Sequence, residues 1–189
     1  MQTNCYLVWA EDKTTAIIDP GDEGTEIAQR INELGLKPTV ILLTHGHFDH
    51  VLGALDLKLI FNIPFYPHRA DMFLLKRQTS TADRFLKQKN NTPDFKEIDG
   101  DLSEIKEINV GGEKLEVIPL PGHTPGGVGF YYRKGGWLFD GDILFSENMP
   151  GETGHIYSSK SEMAKSISKI LNFSKGTLVL PGHGRSFII

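Results

Sequence analysis

The sequence is poor in the features that mark secreted and membrane proteins. Cys5 is its only cysteine, so the chain cannot form an internal disulfide, and this usage fits a reducing compartment. No apolar run approaches the ~20 residues that a membrane-spanning helix needs. The first twelve residues, MQTNCYLVWAED, lack the basic region of a signal peptide. We therefore expect a cytoplasmic protein that has no membrane partner.

Clusters of basic residues are also missing. The formal net charge is −4, and no run of Lys or Arg exceeds two residues, which argues against nucleic acid as a partner because phosphate binding needs a concentrated basic face. The length of 189 residues and the ordinary composition predict one globular domain over 1–189. A small molecule remains as the expected partner, and nothing in the sequence indicates an oligomeric state.

The richest stretch in the chain is His45-Gly46-His47-Phe48-Asp49-His50, which places three of the seven histidines beside an aspartate. Positions i, i+2, i+4 and i+5 do not share a face of a helix, so this cannot be a helical metal motif. In an extended backbone His45 and His47 point the same way. Imidazole and carboxylate are ligands of zinc-like ions. The spacing predicts two adjacent metal ions, one on His45 and His47 and one on Asp49 and His50.

The same local pattern recurs three times further along the chain. An apolar strand, a glycine-bearing turn and then a His or Asp occur at His123, Asp142 and His183, as they do after the apolar run 40–43. Ligands beyond the first cluster are therefore expected at the ends of separate strands. The halves 1–100 and 101–189 each contain strands followed by a helix, which predicts two β-layers packed face to face with helices outside.

Taken together, these motifs resemble the metallo-β-lactamase superfamily. The segments TNCYLV, IDPG at 18–21, LPGHTPG at 120–126, FDGDILF at 139–145 and LPGHG at 180–184 are similar to the glyoxalase II-like, or hydroxyacylglutathione hydrolase-like, branch. The resemblance implies an α/β fold of four layers, an αββα sandwich with two mixed sheets. It also implies a dinuclear metal site at one edge.

The resemblance further implies a ligand for each ion and a reaction. His45, His47 and His123 would hold the first ion, Asp49, His50 and His183 the second, and Asp142 would bridge them. Two divalent ions are expected, zinc first, with iron or manganese as alternatives. A bridging hydroxide would attack the carbonyl of a small ester or thioester. Asp49 is the candidate catalytic residue that orients the water or takes up its proton.

Four further residues are candidates for supporting roles. Asp19, Thr44 and Thr124 are predicted to fix the orientation of the imidazoles, and His155 lies in a loop that could face substrate. This loop, 146–155, replaces a Gly-Arg pair that the family often shows, and only six residues follow His183. We therefore expect no C-terminal glutathione-binding domain.

Three alternatives remain open from the sequence. A persulfide dioxygenase-like enzyme would use one iron on His45, His123 and Asp142. A lactonase or lactamase would hydrolyse a cyclic substrate with the same ligands. A metal-stabilised domain without catalysis is the third, although seven ligands around two ions leave room for water, whereas structural zinc sites are closed sets of four.

Overall fold

The computed structural model describes residues 2–189, apart from the side chain at position 147. The chain forms two large mixed sheets, a small two-stranded sheet and five α-helices within this range. The helices are α1 (Gly24–Glu33), α2 (Ala54–Phe61), α3 (Met72–Leu75), α4 (Gln78–Leu86) and α5 (Lys160–Leu171). The strands are β1 (Tyr6–Trp9), β2 (Thr14–Ile18), β3 (Lys37–Leu42), β4 (Phe65–Tyr66), β5 (Glu107–Val110), β6 (Glu113–Pro119), β7 (Val128–Tyr132), β8 (Trp137–Gly141), β9 (Leu144–Phe145), β10 (Met149–Pro150), β11 (Leu178–Pro181) and β12 (Phe187–Ile188).

Both large sheets combine parallel and antiparallel pairs. The first has the order β1-β2-β3-β4, in which β2 is antiparallel to β1 and parallel to β3. The second has the order β12-β11-β8-β7-β6-β5, in which β8 is parallel to β11 and antiparallel to β7. Each sheet therefore has a parallel pair whose carboxyl ends lie side by side.

Side chains point alternately to the two faces of each strand, and this alternation produces the layers. Ala16 and Ile18 of β2 point into a core shared with Phe130 of β7 and Phe139 of β8, so the two sheets pack face to face. Ile17 lies between them in sequence and points the other way.

Helices cover the two outer faces. Ile31 of α1 and Leu57 of α2 pack in the cluster that contains Ile17, while Met163 and Ile170 of α5 pack on the outer face of the second sheet. The four-layer αββα sandwich expected from the sequence is therefore confirmed. No helix among the described residues is long and apolar enough to cross a membrane.

Local differences from the sequence expectation concentrate near the histidine motif. The pattern predicts a helix over about 50–61, but α2 begins at Ala54, because Phe48–His50 forms a single 3-10 turn. A strand is predicted over 3–9, but β1 begins at Tyr6. The residues before it turn toward the end of β11, where the backbone amide of Asn4 donates to the carbonyl of Gly182.

Candidate metal centre

Three imidazoles meet at a first point between the sheet ends. His45 and His47 follow β3, and His123 follows β6. His47 Nδ1 lies 3.0 Å from His45 Nε2 and 2.9 Å from His123 Nε2. The three nitrogens are thus close enough to one another to share one ion.

A second group forms beside the first. His50 Nε2 lies 3.3 Å from His183 Nε2, which is 3.2 Å from Asp49 Oδ2. His183 follows β11, so this group joins the first sheet to the second. These three side chains also present their atoms within the span of one ion.

Asp142, just after β8, stands between the two groups. Its Oδ2 is 3.7 Å from His123 Nε2 and 3.5 Å from His183 Nε2. Its Oδ1 is buried and has no hydrogen-bond partner, since the nearest imidazole nitrogen, on His50, is 3.6 Å away. A buried carboxylate oxygen without a donor is costly unless a cation compensates it.

Every imidazole of the first group is fixed through its other nitrogen. Thr44 Oγ1 donates to Asp19 Oδ2 at 2.6 Å, so it accepts a hydrogen bond from His45 Nδ1 at 3.1 Å. His123 Nδ1 donates to the carbonyl of Glu152 at 2.7 Å. The third imidazole, His47, has its Nε2 2.8 Å from the hydroxyl of Tyr157.

The second group follows the same rule. His50 Nδ1 donates to Asp19 Oδ2 at 3.0 Å, and His183 Nδ1 donates to the carbonyl of Gln2 at 2.8 Å. Such outer hydrogen bonds are the usual means by which a protein orients metal-binding imidazoles.

These outer hydrogen bonds determine whether the nitrogens that face the centre carry a proton or a lone pair. In a neutral imidazole only one nitrogen bears a proton, so the Nε2 atoms of His45, His50, His123 and His183 present lone pairs. His50 and His183 then face each other at 3.3 Å with two lone pairs. His47 Nδ1 can donate to only one of its two neighbours. A divalent cation satisfies all of these atoms, so the donor set fits a metal centre.

Burial and charge set the protonation of the centre. Burial, together with His123 and His50, lowers the pKa of His47 to about 3. Burial also lowers the pKa of His45. For His50, burial acts downward, but Asp142 and Asp19 outweigh it and raise the pKa. The first group therefore consists of neutral donors, whereas a cation at the second group competes with a proton on His50.

The four predicted supporting residues lie in different places. Asp19 and Thr44 contact His50 and His45, as described above. Thr124 does not contact an imidazole in the described hydrogen bonds. Its hydroxyl donates to Asp71 Oδ2 at 2.7 Å, so the described contacts place it on a carboxylate and not on a histidine. Thr124 is fully buried. His155 lies at the rim, its ring centroid 5.3 Å from that of His47.

Two residues that support the centre were missed from the sequence. Asp71 is buried and accepts hydrogen bonds from the backbone amides of Gly46 and Gly126. A Cβ at Gly46 would overlap Asp71, so glycine at this position permits their close approach. Tyr157 contacts His47 from 110 positions away. Neither carries a local motif, although an aromatic residue in a polar loop is a weak signal for Tyr157.

Comparison with known proteins gives consistent matches over nearly the whole chain. The family model described as "Metallo-beta-lactamase superfamily" matches residues 1–183. "Hydroxyacylglutathione hydrolase GloC" of Haemophilus influenzae is 36% identical over 97% of this chain and 86% of its own length. "Probable metallo-hydrolase YqgX" of Bacillus subtilis is 38% identical over the same shares.

Solved structures agree with these relatives. The crystal structure of BLEG-1 B3 metallo-beta-lactamase superposes with a TM-score of 0.90 at 32% identity, covering 99% of this chain and 89% of that one. A protein crystallised in a di-iron-bound form gives a TM-score of 0.86 at 31% identity, covering 99% and 90%. With the family model spanning 183 residues and two relatives above 35% identity, the chain belongs to the metallo-beta-lactamase superfamily.

Proposed function

We propose that this chain is a dinuclear metal-dependent hydrolase of a small ester or thioester. The observation that carries the proposal is the shared orientation of five imidazoles. Each has one nitrogen held by the protein and the other turned toward a common centre that also contains Asp49 and Asp142. A relative is named for the hydrolysis of a hydroxyacylglutathione, and because an acylglutathione is a thioester, this relative supports the bond type.

The presence of a second, equally supported group favours two ions over one. A single iron on His45, His123 and Asp142 would leave Asp49, His50 and His183 without a ligand role. Yet His50 is held by Asp19 and His183 by the carbonyl of Gln2. The dinuclear assignment gives each of these contacts a purpose, with His45, His47 and His123 on one ion, Asp49, His50 and His183 on the other, and Asp142 between.

Two divalent ions, when bound, lower the pKa of a shared water and polarise the substrate carbonyl. The chain supplies the remaining steps. Asp49 is ionised, because His183 and His50 hold the pKa of its carboxyl below the usual range despite its burial. It accepts a hydrogen bond from the attacking water and takes its proton. The water oxygen adds to the carbonyl carbon, the carbon–sulfur or carbon–oxygen bond breaks, and the proton passes to the leaving atom.

Elemental analysis and turnover test this proposal together. Protein purified without chelator should contain close to two zinc, iron or manganese ions per chain and should hydrolyse members of a panel of thioesters, esters and lactones. Asp49→Ala and His123→Ala should abolish that turnover. Intact turnover in both variants would contradict the assigned centre.

The same experiments separate the alternatives. One iron per chain with oxygen uptake on a glutathione persulfide would favour the dioxygenase. Turnover of a chromogenic cephalosporin alone would favour a lactamase, the activity named for the structural neighbour with a TM-score of 0.90. Two bound ions with no turnover on any member of the panel would favour a non-catalytic domain.

A further inference from the structure

A wall of three aromatic side chains borders the centre on the side of His47. The ring of Tyr157, whose hydroxyl contacts His47, stacks on His155 with centroids 5.0 Å apart and planes 9° apart. It meets Phe73 edge-on at 5.1 Å. We call Phe73, His155 and Tyr157 the aromatic wall. At its far end, the guanidinium carbon of Arg77 lies 5.2 Å from the centroid of the Phe73 ring.

Two segments supply this wall, and both are anchored to the loops that carry the ligands. Phe73 lies in α3, and this helix begins immediately after Asp71, which accepts a hydrogen bond from the amide of Gly46. His155 and Tyr157 precede Ser158, whose hydroxyl donates to the carbonyl of His123 at 2.8 Å. The position of the wall relative to the metal centre is therefore fixed from both sides.

The wall is open to solvent and ends in a positive charge that forms no ion pair with the side chains that the structure describes. Phe73 is 37% exposed, and Arg77 is exposed beside it. The ion pairs of the described residues include Arg69 and Arg133 but not Arg77. Arg77 lies over the ring of Phe73, which meets Tyr157 edge-on, so the charge is continuous with the wall.

We propose that Arg77 and the aromatic wall form a subsite for a carboxylate-bearing substrate of the hydrolase. The inference rests on the proposed function and names the substrate class for it. A guanidinium offers a planar fork of donors that matches a carboxylate. An exposed aromatic surface beside it packs against the apolar part of the same molecule. The scissile carbonyl then lies at the centre, while the carboxylate lies at the end of the wall.

Kinetics with charged and neutral thioesters test the subsite. The probes are S-lactoylglutathione, with carboxylates on the thiol side, S-succinyl-N-acetylcysteamine, with one on the acyl side, and neutral S-acetyl-N-acetylcysteamine. Arg77→Gln should raise KM about tenfold for at least one charged probe, the loss expected for a hydrogen bond to a charged group. The substitution should change kcat less than about twofold and leave KM for the neutral probe unchanged. KM for that charged probe in Arg77→Lys should lie between the wild-type and Arg77→Gln values, because Lys keeps the positive charge but lacks the planar pair of donors.

Arg30→Gln is the matched control. Arg30 lies in the last turn of α1, close to the amino end of β3 and therefore at the opposite end of the sheet from the centre, and its removal changes the net charge equally. It should behave as wild type with every probe. An unchanged KM in Arg77→Gln for both charged probes, or an equal loss on the neutral one, would overturn the subsite.

Binding without turnover distinguishes failure of the subsite from failure of the proposed function. S-methylglutathione and succinate cannot be hydrolysed as thioesters, and calorimetry on the metal-loaded protein measures their affinity directly. If no thioester is turned over, the hydrolase proposal fails, and about tenfold weaker binding of either probe to Arg77→Gln would still support the subsite. Equal affinity in the variant, or no binding to wild type, would overturn it.

Discussion

The carboxylate of Asp71 accepts a hydrogen bond from the backbone amide of Gly46 at 2.8 Å through Oδ2. Its Oδ1 accepts one from the amide of Gly126 at 2.7 Å. Gly46 lies between two ligand candidates on one loop, and Gly126 lies three residues after His123 on another. One buried side chain therefore sets the spacing of the loops that form the first imidazole group.

Replacing Asp71 with Asn should separate those loops. Each carboxylate oxygen receives a backbone N–H, so the amide nitrogen of Asn would oppose one donor and leave it unsatisfied. We expect a loss of about 1–3 kcal/mol in the free energy of unfolding, together with weaker binding of one metal ion. Denaturant unfolding and titration against a competing chelator measure the two effects. Asp12→Asn is the control, because Asp12 is exposed in the β1–β2 turn. Unchanged stability and metal affinity would contradict the role of Asp71.

Replacing Asp19 with Asn should impair the second ion specifically. Asp19 accepts from the amide and hydroxyl of Thr44 and from His50 Nδ1. When the oxygen of Asn accepts from the backbone amide of Thr44, its NH2 group faces Thr44 Oγ1 and His50 Nδ1, so His50 loses the acceptor that keeps the proton on Nδ1. Loss of such an outer contact typically costs about 10–100-fold in metal affinity.

Metal content after dialysis measures this effect. We expect about one retained ion per chain in Asp19→Asn, and two in the control Asp22→Asn, where the exposed Asp22 bonds only to the amide of Glu23. Two tightly held ions in both variants would show that the contact with Asp19 is dispensable.

Removing the metal should destabilise the fold. Without a cation, the Nε2 atoms of His50 and His183 face each other at 3.3 Å and only a bound proton can separate their lone pairs, while Asp142 Oδ1 is buried without a donor. Binding to the folded state alone at a thousandfold excess over Kd adds about 4 kcal/mol, which corresponds to a shift of about 10 °C in Tm for a domain of this size. Thermal unfolding with chelator, and again after zinc is restored, should show this reversible shift. Identical melting curves would argue against a preformed centre.

The ionised carboxylate of Asp101 should make the free energy of unfolding decrease as the pH becomes acidic. Burial opposes its ionisation, but the amide of Ser103 and the amide and side chain of Arg69 hold the pKa of its carboxyl well below the usual range. Since the folded pKa is lower than the unfolded value of about 3.9, the stabilisation is fully present above that value. It is lost as the pH falls toward the folded pKa.

Asp101→Asn should therefore cost about 1–2 kcal/mol at pH 7. The difference from wild type should shrink below about pH 4. Urea unfolding of both proteins with chelator present, at pH 7, 5 and 3, isolates this effect from loss of metal. A difference that grows toward acid pH would contradict the sign.

The sequence by itself determined the architecture and the composition of the centre. Alternating apolar residues predict strands such as β2 and β7, and each ligand candidate follows an apolar run. Parallel strands place their carboxyl ends at one edge of a sheet, which brings together Asp142 after β8 and His183 after β11. His45 follows β3 of the other sheet and joins them because the two sheets pack face to face.

Tertiary structure alone decided how those side chains are held. Thr124 was expected to orient an imidazole and instead binds Asp71, which no motif marks. Tyr157 and the carbonyl of Gln2 contact histidines 110 and 181 positions away. Such contacts depend on loop paths and on backbone atoms, which every residue carries, so residue type does not reveal them. Local chemistry thus determined which groups form the centre, and packing determined the partner of each outer nitrogen.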